Sequence, residues 1–124
     1  MYSHNKTVGG VGESYAKSYL EDRGHRILRT NIYSHWGELD IISEKEGTIH
    51  FIEVKTRIGE QRGKPYENVH YRKLLALART IKYCIMTMHL QGRKYQLDVV
   101  GIVLSSDLKI ESITLYENIP LSLE

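Results

Sequence analysis

Two carboxylates and a lysine stand on neighbouring segments of this sequence, close enough to act together on one substrate. The stretch WGELDIISEKEGTIHFIEVKTR has the alternating pattern of a β-hairpin, with Asp40 on its first strand and Glu53 on its second. Lys55 follows Glu53 by two residues, so these two side chains point to the same face of the strand. A hairpin can fold without these charges, so their presence needs another explanation.

The turn of the hairpin decides whether the two carboxylates meet. If Glu46 and Gly47 form a two-residue loop, the numbers of each cross-strand pair sum to 93, and Asp40 lies directly opposite Glu53. Directly opposite side chains lie about 5 Å apart at their Cβ atoms. At a separation of about 4 Å and an effective dielectric constant of about 20, two such charges repel each other by roughly 4 kcal/mol.

This repulsion calls for a compensating positive charge. Lys55 can supply part of it, and a divalent cation would supply more, because closely spaced carboxylate oxygens suit Mg²⁺ or Mn²⁺. An ion at this place could activate water and stabilise a leaving oxygen at phosphorus, with Lys55 as a point charge on the attacking water. The alternative is an ordinary surface salt bridge between Glu53 and Lys55, which would have no chemical role.

Hydrophobic periodicity and turn residues outline the elements that must position these groups. The first half of the chain predicts a helix at 12–23 ended by Gly24, a short strand at 26–28, residues 32–33 as an extension of the next segment before Gly37, and hairpin strands at 39–43 and 48–56. The second half predicts a polar loop at 58–65, a helix at about 66–89 ended by Gly92, and strands at 95–104 and 110–115. This order of helices and strands predicts an α/β protein with a mixed sheet.

Length and composition exclude several other classes of protein. The 124 residues suit one compact domain, and 41% hydrophobic with 26% charged residues is typical of a globular chain. No apolar run approaches the length of a membrane span, and the first ten residues lack the apolar core of a signal peptide. The single cysteine, Cys84, excludes an internal disulfide. We therefore expect a cytoplasmic protein without a membrane partner.

The positive charge is concentrated in one part of the chain. Residues 55–82 contain eight Lys or Arg against two Glu, a sum of +6, whereas the whole chain carries +2. Such a block indicates an anionic ligand on one face, although a solvated helix face would have the same composition. Nine tyrosines against one phenylalanine could supply stacking surfaces for nucleobases, or could serve ordinary packing.

Asp40 followed by Glu53-Val54-Lys55 resembles the D…(D/E)-x-K core of the PD-(D/E)XK nuclease superfamily. A wider set of spaced residues is similar to the YraN family of small bacterial proteins, which in turn resembles archaeal Holliday junction resolvases. This set covers most of residues 9–100 and comprises Gly9, Gly12, Glu13, Ala16, Leu20, Gly24, Asn31, Gly37-Glu38-Leu39-Asp40, the run from Phe51 to Arg57, Gly63, Pro65, Glu67, Lys73 and Asp98-Val99.

The resemblance implies a restriction-endonuclease-like fold, in which helices flank a central mixed β-sheet. It implies a single nuclease-like domain over 1–124, with a core at roughly 9–116. Cleavage of a junction normally needs two active sites, so the resemblance also leaves a homodimer open.

The resemblance also implies a role for each site residue. Asp40 and Glu53 would bind Mg²⁺ (or Mn²⁺), with help from the Val54 carbonyl. Glu13 would approach from the first helix as a further acidic ligand and fourth member of the catalytic group. Lys55 would orient the nucleophile.

Five basic residues would contact nucleic acid, with DNA as the expected partner: Arg57, Arg62, Lys64, Arg72 and Lys73. The sequence departs from the family where Gln96 stands two residues before Asp98, at a position where the family usually has arginine. This change puts a substrate contact at that position in doubt.

Three functions follow from these patterns. The first is a metal-dependent endonuclease that hydrolyses phosphodiester bonds in structured or branched DNA, in the manner of a Holliday junction resolvase. The second is a non-catalytic nucleic-acid-binding module that retains the nuclease fold, because phosphate contacts need no chemistry. The third is a protein-interaction domain, since fold alone does not determine function.

Overall fold

The computed structural model of the chain describes residues 4–59 and 71–121, and the side chains of 8–59 and 72–121. Its elements, in chain order, are α1 His4–Asp22, β1 Arg26–Ser34, β2 Gly37–Lys45, β3 Thr48–Ile58, α2 Tyr71–Thr87, β4 Lys94–Leu104 and β5 Ile110–Tyr116. The order of elements is the predicted one. No helix in the described part of the chain is long and apolar enough to cross a membrane.

The five strands form one mixed sheet in the order β1-β2-β3-β4-β5. The pairs β1–β2, β2–β3 and β4–β5 are antiparallel, whereas β3 and β4 are parallel. Parallel neighbours need a crossover connection, and the segment that contains α2 provides it. The structure therefore confirms the predicted α/β architecture with a central mixed sheet.

Each face of the sheet is covered by one helix. On one face, Leu77, Ile81 and Cys84 of α2 pack in a buried cluster with Phe51 of β3 and Leu97 of β4. Cys84 is buried there, as expected for a small packed side chain. The other face has its own cluster, in which Ala16 and Leu20 of α1 pack against Ile41, Ile52 and Val100. Two apolar layers thus fix both helices relative to β3.

The strand β1 is longer than the short strand predicted at 26–28, and it continues without a break to Ser34. Three exposed polar residues, Arg29 to Asn31, follow the predicted strand and hide its continuation, and a register shift lies between Ile27 and Arg29. Asn31 has a left-handed backbone (φ 50°) inside the strand. Helix α1 likewise begins earlier than the predicted position 12. The polar loop predicted at 58–65 was placed one residue too early at its start, because β3 includes Ile58. The parts of the predicted elements at 60–70 lie outside the described residues.

The helix ends follow from local backbone geometry. Gly24 ends α1 as predicted, with φ at 91° and a hydrogen bond from its N–H to the Glu21 carbonyl oxygen. At the end of α2 the left-handed residue is His89 (φ 56°), and the Leu90 N–H donates to the Ile85 carbonyl oxygen at 2.8 Å. The prediction that Gly92 ends this helix was therefore three residues late.

Candidate active site at a fork between two strands

The predicted hairpin register is confirmed. The paired residues of β2 and β3 run from Lys45 opposite Thr48 to Ile41 opposite Ile52, so each pair sums to 93. Glu46 and Gly47 both have positive φ (50° and 83°), the geometry of a tight two-residue hairpin turn. This turn chemistry fixes the register of the whole hairpin.

The ladder between β2 and β3 ends where the charged residues begin. Asp40 and Glu53 follow the last pair in register, and there the Val54 N–H donates to Asp40 Oδ2 at 2.7 Å. The side chain of Asp40 thus satisfies a backbone donor of the neighbouring strand. We call this place the strand fork, defined by Asp40, Glu53, Val54 and Lys55.

Two lysines approach Glu53 in the strand fork. Glu53 is only 4% exposed, and its Oε2 lies 3.7 Å from the Nζ atom of Lys55 and 3.1 Å from that of Lys73. Lys73 comes from the first part of α2, so a sheet residue and a helix residue neutralise the same carboxylate. Lys73, expected as a nucleic-acid contact, thus reaches the carboxylate of Glu53. A plain surface pair between Glu53 and Lys55 is excluded by the burial of Glu53.

Asp40 is unusually hard to ionise. Burial is the largest cause and the nearby Glu53 carboxylate is the next, and together they raise the pKa of Asp40 to about 7. The hydrogen bond from the Val54 N–H opposes this rise, whereas Glu13 adds to it. A side-chain hydrogen bond with Glu53 adds to the rise in the pKa of Asp40. Asp40 therefore titrates near neutral pH when no cation is bound.

Glu13 belongs to the same electrostatic cluster. Burial raises the pKa of Glu13, the carboxylates of Glu38 and Glu53 raise it further, and a hydrogen bond with Asn31 lowers it. Glu13 and Lys55 also line a common cavity of about 300 Å³ between α1 and β3. The structure thus brings together all four residues that were predicted as catalytic.

A close contact between helix and strand places Glu13 at this site. A Cβ atom added to Gly12 would lie 1.9 Å from Thr56 Oγ1 and 2.8 Å from Thr56 Cβ. Only glycine leaves room for α1 to approach β3 so closely. Glu13 follows directly in the helix, so the glycine determines how far its carboxylate lies from the fork.

Sequence reasoning assigned no role to two residues that contact Glu13. Asn31 carries the left-handed backbone inside β1 and hydrogen-bonds to the Glu13 side chain, and Glu38 is an exposed carboxylate close to it. Both stand at positions that match the family pattern, and that pattern was the one available signal. A strained non-glycine residue beside a charged site is a common mark of function.

The structure describes only two of the other four basic residues that were predicted to contact nucleic acid. Arg57 lies two residues beyond Lys55 on β3, and Arg72 is exposed near the start of α2. Arg62 and Lys64 lie outside the described residues. Contact of these side chains with nucleic acid stays a prediction.

A second group of ionisable residues lies on β3 and β4, where Gln96 pairs with His50 and Asp98 pairs with Ile52, the residue that precedes Glu53. His50 Nδ1 lies 2.6 Å from Asp98 Oδ2, and Asp98 Oδ1 accepts hydrogen bonds from Gln96 Nε2 (2.8 Å) and Asn118 N (2.9 Å). Burial would raise the pKa of Asp98, but these hydrogen bonds outweigh it and lower the pKa. Gln96, the departure from the family pattern, therefore contacts Asp98 and stabilises a buried carboxylate.

Together with Glu117, His50 and Asp98 have ligating atoms that all lie within 4.8 Å of one another. No other trio of acidic, His or Cys side chains in the described part of the chain is so closely spaced. Glu13, Asp40 and Glu53 are more widely spaced. The oxygens of Asp98 are, however, already engaged by three donors, whereas at the strand fork the carboxylate of Glu53 opposes the ionisation of the buried Asp40. The chemistry of the donors thus favours the strand fork as the place for a divalent cation.

A mixed sheet between two helices, with a carboxylate–lysine fork where two strands diverge, defines an α/β protein with a restriction-endonuclease-like fold. The family model described as "Uncharacterised protein family UPF0102" matches residues 12–102, and the chain belongs to this family, which is the YraN family that its sequence resembles. The description of the family names no activity.

Relatives in this family align with nearly the whole chain. A UPF0102 protein of Clostridium acetobutylicum is 39% identical over 105 residues, which cover 85% of this chain and 86% of the relative. One from Caldicellulosiruptor bescii is 38% identical over 115 residues, covering 91% and 96%. A third, from Clostridium kluyveri, is 35% identical over 118 residues, covering 95% and 97%.

Proposed function

We propose that this protein is a metal-dependent endonuclease that hydrolyses phosphodiester bonds in structured or branched DNA. The observation that carries the proposal is the strand fork, where the buried pair Asp40 and Glu53 meets the ammonium groups of Lys55 and Lys73. A pKa of about 7 for Asp40 means that the protein maintains an unfavourable carboxylate pair. Such strongly perturbed groups are concentrated at functional sites.

The charges of the site explain why a cation is needed. Asp40 and Glu53 are formally balanced by Lys55 and Lys73, and Glu13 with the exposed Glu38 then leaves the site acidic. An acidic site repels a phosphodiester. A divalent cation held by these oxygens cancels the excess and makes the approach of a phosphate favourable.

The residues of the fork then have distinct tasks. Asp40 and Glu53, with the Val54 carbonyl, would hold Mg²⁺ or Mn²⁺, and Glu13 would serve as a further acidic ligand from α1. The hydrogen bond from the Val54 N–H fixes the orientation of the Asp40 carboxylate before any ion arrives. When bound, the ion would supply positive charge to the phosphate oxygens and acidify the attacking water.

Lys55 would act on the substrate rather than on the ion. Its ammonium lies 3.7 Å from Glu53 and lines the cavity that it shares with Glu13. From there it would donate a hydrogen bond to the attacking water and stabilise the charge that develops at phosphorus. Lys73 lies closer to Glu53, at 3.1 Å, and would keep that carboxylate ionised and oriented.

Cleavage of a labelled substrate panel tests this proposal. The panel contains a four-way junction, a flap, a duplex, a single strand and an RNA, each with Mg²⁺, with Mn²⁺ and with EDTA. We expect metal-dependent cleavage of a branched substrate, and a loss of at least about 100-fold in Asp40→Asn and Lys55→Met. Glu111→Gln, which removes an exposed carboxylate on β5, is the matched control and should cleave normally.

Two outcomes would contradict the endonuclease. The absence of metal-dependent cleavage on every substrate is one, and cleavage that survives Asp40→Asn is the other. Salt-sensitive junction binding without cleavage would favour the non-catalytic binding module instead. Sedimentation of the protein with an uncut junction would also show whether two copies bind, as two incisions require.

A further inference from the structure

We propose that Trp36 and Tyr83 form a stacking platform for an unpaired nucleobase of the substrate strand beside the strand fork. We call this surface the aromatic platform, defined by His35, Trp36 and Tyr83. The inference rests on the proposed function, because it names the structural feature of the DNA that the site selects. It would direct cleavage towards junctions, flaps and other places where bases lose their partners.

The rings of the aromatic platform are exposed but held in place. The ring centroids of Trp36 and Tyr83 lie 6.5 Å apart at an interplanar angle of 62°, and those of His35 and Trp36 lie 5.5 Å apart at 85°. These are edge-to-face contacts, which leave ring faces open. After this packing, Trp36 is still 41% exposed and Tyr83 40% exposed.

Hydrogen bonds attach the turn that carries Trp36 to helix α2. The Trp36 N–H donates to Ser34 Oγ at 3.2 Å, and Ser34 Oγ lies 2.9 Å from Thr80 Oγ1. Thr80 precedes Tyr83 by three residues on the same helix and is buried. The two aromatic rings are therefore ordered before any ligand binds, which lowers the entropy cost of stacking a base on them.

The two segments that carry Trp36 and Tyr83 also carry residues at or next to the strand fork. Trp36 immediately precedes β2, four residues before Asp40. Tyr83 stands ten residues after Lys73 on α2, and this separation corresponds to about 15 Å along a helix. At about 3.4 Å per stacked nucleotide, a strand whose phosphate lies at Lys73 would bring a base about four nucleotides away to Tyr83.

The charge around the aromatic platform favours a nucleic acid as the occupant. Helix α2, over Tyr71–Thr87, contains no Asp or Glu and carries four cations: Arg72, Lys73, Arg79 and Lys82. Strand β1 adds Arg29. Aromatic rings bordered by cationic elements are the usual surface for single-stranded nucleic acid, on which successive bases stack. A base inside a duplex has both faces covered, so only an unpaired base can use these rings.

Fluorescence offers a direct test, because Trp36 is the only tryptophan in the chain. Binding would be measured with Asp40→Asn protein in EDTA, so that neither metal nor cleavage contributes. We expect a forked DNA with unpaired arms, or a single strand, to quench the Trp36 emission saturably. A blunt duplex of equal length, which supplies the same phosphates, should quench it much less.

Variants identify which ring carries the effect. Tyr83→Ala should weaken binding of the forked DNA by about 5- to 150-fold, the range for loss of one stacked base, and Tyr83→Phe should restore it. Tyr95→Ala is the matched control, since Tyr95 is equally exposed (48%) but lies on β4. Circular dichroism of each variant would establish that the fold is retained.

The inference would be overturned by equal quenching with duplex and forked DNA, by no quenching with either, or by normal affinity in Tyr83→Ala. Its failure can be distinguished from that of the proposed function. Quenching by forked DNA without any cleavage by the wild-type protein would refute the endonuclease and retain the aromatic platform. Metal-dependent cleavage with unchanged substrate preference in Tyr83→Ala would refute the aromatic platform and retain the endonuclease.

Discussion

Replacing Asp40 by asparagine should make the protein more stable at alkaline pH, although the substitution removes a residue of the candidate active site. Asparagine keeps an acceptor for the Val54 N–H and a donor towards Glu53, so the local hydrogen bonds survive. The substitution removes the unfavourable negative charge of Asp40. The pKa of Asp40 is raised from 3.8 to about 7, and at about 1.4 kcal/mol per unit this shift corresponds to roughly 4 kcal/mol.

The sign of the pH dependence follows from proton binding. Between about pH 4 and pH 7 the folded protein holds a proton on Asp40 that the unfolded chain has lost, so the wild-type protein loses stability as the pH rises through this window. His25 acts in the opposite direction, because burial lowers its pKa to about 4. Comparison of wild type with Asp40→Asn cancels the contribution of His25 and leaves that of Asp40.

Urea denaturation of both proteins at a series of pH values, in EDTA, measures this difference. We expect Asp40→Asn to be more stable than wild type by about 2–4 kcal/mol at pH 8, which corresponds to a Tm about 8–15 °C higher, and to match it near pH 4. Glu111→Gln should show no such difference at either pH. An Asp40→Asn protein that is equal to or less stable than wild type at pH 8 would refute the electrostatic reasoning about the fork.

Three further changes test other parts of the site. Gly12→Ala should lower the free energy of unfolding by about 1–3 kcal/mol in urea denaturation and slow cleavage, because the new Cβ collides with Thr56 and displaces α1. Lys73→Met should slow cleavage by about 10- to 100-fold and shift its pH–rate profile to higher pH, since it removes the cation 3.1 Å from Glu53. Asp98→Asn should lower the free energy of unfolding by about 1–3 kcal/mol without changing the cleavage rate per folded molecule, because Asp98 lies outside the fork.

The controls for these three changes come from neighbouring residues. Gly10→Ala adds a methyl group in open space on the same helix and should raise the free energy of unfolding by up to about 1 kcal/mol, because alanine favours the helix over glycine. Arg72→Met removes an exposed cation and should reduce affinity for DNA without shifting the pH profile. A Gly12→Ala protein with normal stability, an unshifted profile in Lys73→Met, or a loss of catalysis in Asp98→Asn would each contradict the corresponding step of the reasoning.

Local rules made much of the fold predictable from the sequence. The two-residue turn at Glu46 and Gly47 fixed the hairpin register, because paired residues in an antiparallel hairpin have a constant sum. Gly24 predicted the end of α1 for a similar reason. Strand β1 was different, because the exposed polar residues from Arg29 to Asn31 lack the apolar alternation that would indicate its length.

The candidate site was less accessible to sequence reasoning, because long-range packing assembles it. The spacing of Asp40, Glu53 and Lys55 was readable within one hairpin. The approach of Glu13 depends on the contact of Gly12 with Thr56, residues 44 positions apart, and no local pattern reports it. The near contact of Lys73 with Glu53 likewise depends on how α2 packs on the sheet.

Binding of Mn²⁺ to the protein without DNA is the measurement that tests the strand fork most directly, by isothermal titration calorimetry on wild type, Asp40→Asn and Asp98→Asn. We expect saturable binding by wild type and by Asp98→Asn, with affinity that increases as the pH rises through 7, because the proton on Asp40 competes with the ion. Asp40→Asn should bind at least about 10-fold more weakly. Binding that survives in Asp40→Asn and is lost in Asp98→Asn would place the ion at the His50 and Asp98 group instead, and no binding by wild type at any pH would contradict the metal site altogether.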